Sequence, residues 1–195
     1  ALILYHLVRN KSGQGIVVKP QISSKLVECL AANLDLEILN WNEDLKGQQV
    51  LLSYDSHGGI CLGQSGGVSD GLMIALLLTE LCSYEEKPLG QIMEDVYALS
   101  GEFKYSRFEL YSKDRDLPLE RMIAHLNVEG IREMTKAARV EPGNTRDFYF
   151  KTPDDEQVWI KARPNPSRLL VWIEGRNSEK IDKIERTICE SVKIK

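Results

Sequence analysis

The chain has 195 residues, of which 43% are hydrophobic and 28% are charged, and its formal net charge at pH 7 is −4. This length and composition suit a globular protein with one large domain or two small ones. The acidic balance and the lack of a basic run provide no surface for nucleic acid or for an anionic membrane. We therefore expect neither nucleic acid nor a membrane as a partner.

Two further features of the sequence bear on localisation. The most apolar stretch, residues 73–82, contains Thr79 and Glu80 and is about half as long as a membrane-spanning helix, so it predicts a buried helix. The four cysteines, at positions 29, 61, 82 and 189, have no metal-ligand spacing. They are interpreted as reduced thiols of a cytoplasmic protein, without a metal site in this chain.

The beginning of the chain predicts a helix that is already under way. Residues 1–10 open with Ala-Leu-Ile-Leu-Tyr-His-Leu-Val, with no initiator methionine, no capping residue and no basic leader. This amphipathic pattern does not match a signal peptide. We expect that the chain was cut from a longer protein.

The first half of the sequence alternates between strand and helix patterns. A helix from Ser23 to about Asn33 lies between two β-branched or apolar runs, and this order predicts a βαβ unit with parallel strands. A turn-rich segment with six glycines follows, at residues 55–71. Pro88 suits the first turn of a helix and Gly101 suits its end. The strands are predicted at 16–18, 36–39 and 50–54, and the later helices at 71–83 and 88–100.

The second half has a different character. One strand and two modest helices precede three closely spaced strands, with Pro153-Asp154-Asp155 as a turn, and Ser178 caps a final amphipathic helix. The predicted fold class is an α/β domain with a βαβ parallel sheet at residues 1–102, then a smaller α+β domain with an antiparallel sheet at 103–195. The strands of the second half are predicted at 103–112, 147–152, 157–163 and 168–174, and the two modest helices at 117–126 and 129–138.

The first candidate site follows the strand at 50–54. Ligands bind at the carboxyl ends of strands in open α/β sheets. Here the chain offers a carboxylate, a hydroxyl and an imidazole, which suit the hydroxyls of a sugar, and glycines that allow close approach of the backbone. Read alone, the segment is more typical of a polar turn that enters a glycine-rich loop. Its residues are Asp55, Ser56, His57, Gly58 and Gly59.

The second candidate site lies between the last two predicted strands. Two guanidinium groups and small polar side chains on a tight loop suit a phosphate, because arginine matches phosphate geometry in a bidentate way. The alternative is a proline-stiffened hairpin with solvated arginines. His6 and His125 are interpreted as structural, and no nucleophile with a neighbouring base is found. The candidate phosphate ligands are Arg163, Asn165, Ser167 and Arg168.

The order of these segments resembles the C-terminal half of the phosphohexomutases, the phosphoglucomutase and phosphomannomutase class. In their third domain, a Gly-Glu-x-Ser-Gly sugar-binding loop precedes an Asp-Gly that opens a long apolar helix, similar to the loop at 55–59 and the segment from Asp70 here. Residues 15–26 look like the strand-to-helix turn of that domain. Arg163-Pro164-Asn165 and the strand at 170–174 resemble the Arg-Pro-Ser-Gly-Thr-Glu-Pro phosphate loop of the fourth domain.

The resemblance implies a role in carbohydrate metabolism. This chain would contribute phosphosugar binding to intramolecular phosphoryl transfer, an isomerase reaction, in a full-length parent. The partners would be a phosphorylated hexose and the missing N-terminal domains, which carry the phosphoserine and the Mg²⁺ loop, so this chain has no catalytic residue and no cofactor of its own. The substrate-binding residues would be Lys46, Asp55, Ser56, His57 and Gly58, and the phosphate-binding residues Arg163, Asn165, Ser167 and Arg168.

The sequence departs from the family pattern in both loops. Ser56 and His57 stand where the family has its sugar-binding Glu and Ser, and Pro166 removes a backbone N–H from a shortened phosphate loop. Each lost charge-assisted contact costs about 1.5–3 kcal/mol, so two losses would weaken binding by about two to four powers of ten. The alternative is a divergent non-catalytic homologue that binds sugar phosphate or a protein. An unrelated two-domain fold is a third hypothesis.

Overall fold

The computed structural model describes residues 1–20, 23–41, 43–45, 47–55, 58–63, 69–111, 147–151, 157–162 and 168–193. The chain divides into two compact units, Ala1–Glu102 and Phe103–Lys195. Within the described ranges, no helix is long and apolar enough to cross a membrane.

The first unit contains a four-stranded mixed sheet in the order β2-β1-β3-β4, in which β1 is parallel to both neighbours and β4 is antiparallel to β3. The predicted βαβ unit with a parallel pair is confirmed. The elements are α1 (Leu2–Arg9), β1 (Ile16–Lys19), α2 (Lys25–Asn33), β2 (Ile38–Asn40), β3 (Val50–Tyr54), β4 (Ile60–Leu62), α3 (Gly71–Glu85) and α4 (Leu89–Ser100).

Strand β1 is buried on both faces, as parallel strands in α/β proteins usually are. Val17 faces the main core, to which all four helices contribute, whereas Ile16 and Val18 belong to a smaller cluster with Val50. The main core includes Leu30, Leu81, Ile92 and Val96, all with no exposed surface. The middle of the sheet is therefore a fixed base for the loops at its carboxyl edge.

His6 is fully buried and connects α1 to α3. Its Nε2 lies 3.0 Å from Glu80 Oε2, and the Asn10 side-chain amide lies 3.2 Å from His6 Nδ1 and donates to Glu85 Oε1 at 2.9 Å. Because the Asn10 amide donates to Nδ1, we assign the proton to Nε2, which donates to Glu80. Hydrogen bonds from His6 and then Lys11 hold the pKa of Glu80 below its ordinary value.

Replacing His6 by alanine is expected to lower the free energy of unfolding by about 2–4 kcal/mol, because it leaves a cavity and removes a buried hydrogen bond. Arg9→Ala, at an exposed position of the same helix, is the control and should change stability by less than about 0.5 kcal/mol. Urea unfolding followed by circular dichroism measures both. Equal stability of the two variants would contradict the structural role of His6.

The second unit has an antiparallel sheet in the order β5-β8-β7-β6, with a helix from its C-terminal end packed against β5 and β8. Ile181, Ile184 and Ile188 form the buried face of this helix. The predicted α+β architecture is confirmed. The elements are β5 (Lys104–Tyr111), β6 (Asp147–Lys151), β7 (Gln157–Ala162), β8 (Arg168–Gly175) and α5 (Ser178–Lys193). The predicted helices at 117–126 and 129–138 and the turn at 153–155 lie outside the described residues.

Several predicted boundaries were wrong. Asn177, not Ser178, caps α5, since its side-chain oxygen accepts from the Lys180 backbone N–H at 3.1 Å. Pro88 precedes α4 in an extended conformation instead of lying in the first turn. Helix α3 continues two residues beyond the predicted end, to Glu85. The turn-rich segment at 55–71 also contains the short strand β4, which was not predicted.

Candidate functional site

Three parallel strands end at the same edge of the first sheet, which we call the carboxyl edge. It is formed by Lys19 at the end of β1, Trp41 directly after β2, and Tyr54 and Asp55 at the end of β3. In open α/β sheets this is the edge where ligands bind. The loop that follows β3 therefore begins at this edge.

The turn from Asp55 to Gly59, which we call the Asp55 turn, joins β3 to β4. The Asp55 carboxylate accepts from the Gly59 backbone N–H at 2.8 Å, and the Asp55 N–H donates to the Gly59 carbonyl at 3.0 Å. A Cβ on residue 59 would lie 2.5 Å from the Asp55 carboxylate, so a larger residue there would displace this side chain from its present position. One function of Asp55 is thus to close the turn, which the sequence did not predict.

The end of the following loop is anchored to the same sheet. Ser69 Oγ accepts from the Ile60 N–H at 2.9 Å. The adjacent Asp70 carboxylate accepts from the N–H groups of Leu72 at 2.9 Å and Met73 at 3.2 Å, which caps α3. Helix α3 therefore begins at the Asp-Gly motif, where the sequence predicted a helix.

Trp41 lies at the carboxyl edge and was not among the predicted site residues. Its backbone N–H donates to the Lys19 carbonyl at 3.0 Å, and its indole Nε1–H donates to the Tyr54 carbonyl at 3.0 Å. The side chain therefore reaches from β2 past the end of β1 to the end of β3. It is nevertheless 52% exposed. A tryptophan directly after a parallel strand was the signal that could have identified it.

A charged cluster lies at the end of β1. Glu28 accepts from Lys19 at 2.6 Å and from Lys25 at 2.8 Å, and the Ser23 hydroxyl donates to the same carboxylate at 3.3 Å. Burial by itself would raise the pKa of Glu28, but the hydrogen bonds from the two lysines outweigh burial and lower it. Glu28 therefore links the end of β1 to the first turn of α2 through its two lysine partners.

The structure places only some of the predicted site residues. Asp55 and Gly58 lie together in the described turn, where Gly58 has a φ of 91°. Arg168 is the first residue of β8 and pairs with Tyr111. Among the described residues, no group of three or more His, Cys, Asp or Glu side chains could hold a metal ion. The remaining predicted site residues lie outside the described ranges: Lys46, Ser56, His57, Arg163, Asn165 and Ser167.

Solved structures of related fold support this architecture. A candidate phosphomannomutase from Thermus thermophilus is 20% identical with a TM-score of 0.60 and aligns with 97% of this chain and 39% of its own. The pp63/parafusin phosphoglucomutase from Paramecium, in its open form, is 12% identical with a TM-score of 0.65 and aligns with 98% of this chain and 39% of its own. A phosphoglucomutase/phosphomannomutase family protein from Burkholderia thailandensis is 13% identical with a TM-score of 0.60 and aligns with 98% of this chain and 40% of its own.

At these identities the structural likeness shows the fold, and the chain spans about two fifths of the length of these proteins. A search of the curated proteins finds no match. The family model for phosphoglucomutase/phosphomannomutase, alpha/beta/alpha domain III, matches residues 1–99, which include every element of the first unit up to α4. This match covers more than half of the 195 residues, and the chain therefore belongs to the phosphoglucomutase/phosphomannomutase family.

Proposed function

We propose that this chain binds a phosphorylated hexose and serves as the substrate-binding C-terminal half of a phosphohexomutase. The observation that carries the proposal is the Asp55 turn at the carboxyl edge of a domain that the family model matches. Phosphoryl transfer would need the phosphoserine and Mg²⁺-binding domains of a longer protein. By itself, this chain would bind the substrate without converting it.

The Asp55 turn is suited to sugar hydroxyls. A carboxylate offers about four acceptor positions, so closing the turn through the Gly59 N–H leaves Asp55 able to accept from a hydroxyl as well. Ser56, His57 and Gly58 would provide further donors and acceptors, and Lys46 would contact the ligand as the family lysine does.

The phosphate of the ligand would be held by the loop before β8 together with Arg168, the first residue of that strand. Two guanidinium groups there provide paired N–H donors that match phosphate oxygens, and Asn165 and Ser167 add neutral donors. The guanidinium groups are those of Arg163 and Arg168.

A non-catalytic homologue that binds a protein is the second candidate function. The observation that favours it is the apolar, exposed start of α3, where Leu72 is 72% exposed and Leu76 is 62% exposed. Exposed apolar patches are typical of interaction surfaces. The four cysteines form no disulfide bonds with one another, which suits the cytoplasm for either function.

The proposal predicts saturable binding of glucose 1-phosphate or glucose 6-phosphate to the 195-residue chain in isothermal titration calorimetry. Arg163→Ala should raise the Kd about 10- to 150-fold, because a charge-assisted hydrogen bond contributes about 1.5–3 kcal/mol. Arg186→Ala is the control, since it removes the same charge from an exposed position of α5 and should leave the Kd within about twofold. A flat titration of the wild type, or equal Kd values for the two variants, would overturn the proposal.

A further inference from the structure

The indole ring of Trp41 is held in place without being buried. Its N–H donates to the Tyr54 carbonyl and its backbone N–H donates to the Lys19 carbonyl, yet 52% of the residue is exposed. A tryptophan normally gains stability by burying its large ring. Here the indole N–H is hydrogen-bonded, while much of the residue stays accessible. It lies at the carboxyl edge of the sheet, where ligands of such sheets bind.

This arrangement suits a flat ligand with an apolar face. The face of an aromatic ring carries partial negative charge, which attracts the weakly positive C–H groups of a neighbouring molecule. A hexose ring combines a face of C–H groups with a rim of hydroxyls. Binding sites for such ligands combine aromatic surface with a few well-placed polar groups. A ring that is already fixed by a hydrogen bond also loses little conformational freedom when the ligand binds.

We infer that Trp41 is the stacking platform for the sugar ring of the phosphorylated hexose, an inference that rests on the proposed function. The indole N–H bonds the carbonyl of Tyr54, and Asp55 is the next residue, so the ring and the turn are held by the same stretch of backbone. The ring contacts the apolar face of the sugar, and the carboxylate of Asp55 accepts from its hydroxyls. This division of roles makes Trp41 a determinant of affinity for the sugar and not for the phosphate.

Two substitutions distinguish a role of Trp41 in stacking on the sugar from a purely structural role as a link between β2 and β3. Trp41→Phe keeps an aromatic face but removes the N–H donor. Trp41→Gln removes the aromatic face, while its side-chain amide lies as many bonds from Cβ as the indole N–H and can still donate to Tyr54. A platform requires the aromatic face, whereas a link requires the donor.

The test is titration of the full chain and both variants with glucose 6-phosphate and, separately, with inorganic phosphate. Trp41→Gln should raise the Kd for the sugar phosphate about tenfold, Trp41→Phe should raise it less than about threefold, and neither should change the Kd for inorganic phosphate. The indole N–H signal of Trp41 in NMR spectra, assigned by its loss in Trp41→Phe, should shift saturably with the sugar phosphate.

The outcomes distinguish this inference from the proposed function. If the wild type binds glucose 6-phosphate and Trp41→Gln binds it equally well, the platform is overturned while phosphosugar binding stands. The platform is also overturned if Trp41→Phe loses affinity as much as Trp41→Gln does. If the wild type binds neither glucose 6-phosphate nor glucose 1-phosphate, the proposed function fails, and this inference fails with it.

Discussion

Replacing Gly15 by alanine is expected to destabilise the first unit by more than about 3 kcal/mol, enough to prevent a marginal domain from folding. Gly15 has a φ of 129°, a region that residues with a side chain rarely adopt. A Cβ at this position would lie 2.3 Å from the Gln49 carbonyl oxygen. That oxygen cannot move freely, because it accepts from the Ile16 N–H at 2.8 Å where β1 and β3 begin to pair.

Gly47→Ala is the matched control for this substitution. Gly47 also has a positive φ, of 77°, but a Cβ there would meet no atom within 4 Å. It should therefore cost only the conformational strain, about 1 kcal/mol. Urea unfolding followed by circular dichroism compares the two variants. If Gly15→Ala were as stable as Gly47→Ala, this result would contradict the close approach of β1 and β3 described at Gly15.

Leu81→Ala is expected to lower the free energy of unfolding by about 2–5 kcal/mol, because it removes a large side chain from a packed core and leaves a cavity. Within α3, all of which the structure describes, Leu81 is the one buried residue. It has no exposed surface and packs in the main core of the first unit. The attachment of α3 to this unit therefore depends strongly on this side chain.

Leu76→Ala is the control in the same helix. The same atoms are removed, but Leu76 is 62% exposed, so the variant should differ from the wild type by less than about 0.5 kcal/mol. Thermal unfolding of both variants measures the difference. Equal losses of stability would show that burial does not distinguish the two leucines, contrary to the packing described for α3.

Elements with strong local patterns could be predicted from the sequence. The β-branched run of β1 and the apolar run of β3 are typical of buried strands, and the helical spacing of apolar residues identified α2. Strand β4 was missed because it has three residues in a glycine-rich segment and forms by pairing with β3. The cap of α5 was misplaced by one residue because Asn177 and Ser178 are both good capping residues, and only the backbone geometry decides between them.

The place of Asp55 in the fold could be predicted from the sequence, but the contacts of its side chain could not. The position of Asp55 after a parallel strand could be read from the sequence, because strand ends are where such sheets bind ligands. The hydrogen bond that its carboxylate accepts from the Gly59 N–H could not be predicted, because this contact depends on the path of the backbone through the turn. Trp41 was missed because its indole bonds a carbonyl 13 positions later in the sequence, which requires the order β2-β1-β3 to be known.

The most direct test of phosphosugar binding is an NMR titration of the full chain with glucose 1-phosphate and glucose 6-phosphate, in which each backbone amide is observed separately. We predict saturable shifts for the amides of Asp55, Gly58 and Gly59, with the amide of Val96 in the core of α4 unchanged. Spectra that do not change with either ligand, or changes that leave the Asp55 turn unaffected, would contradict the assignment of the carboxyl edge as a sugar-binding site.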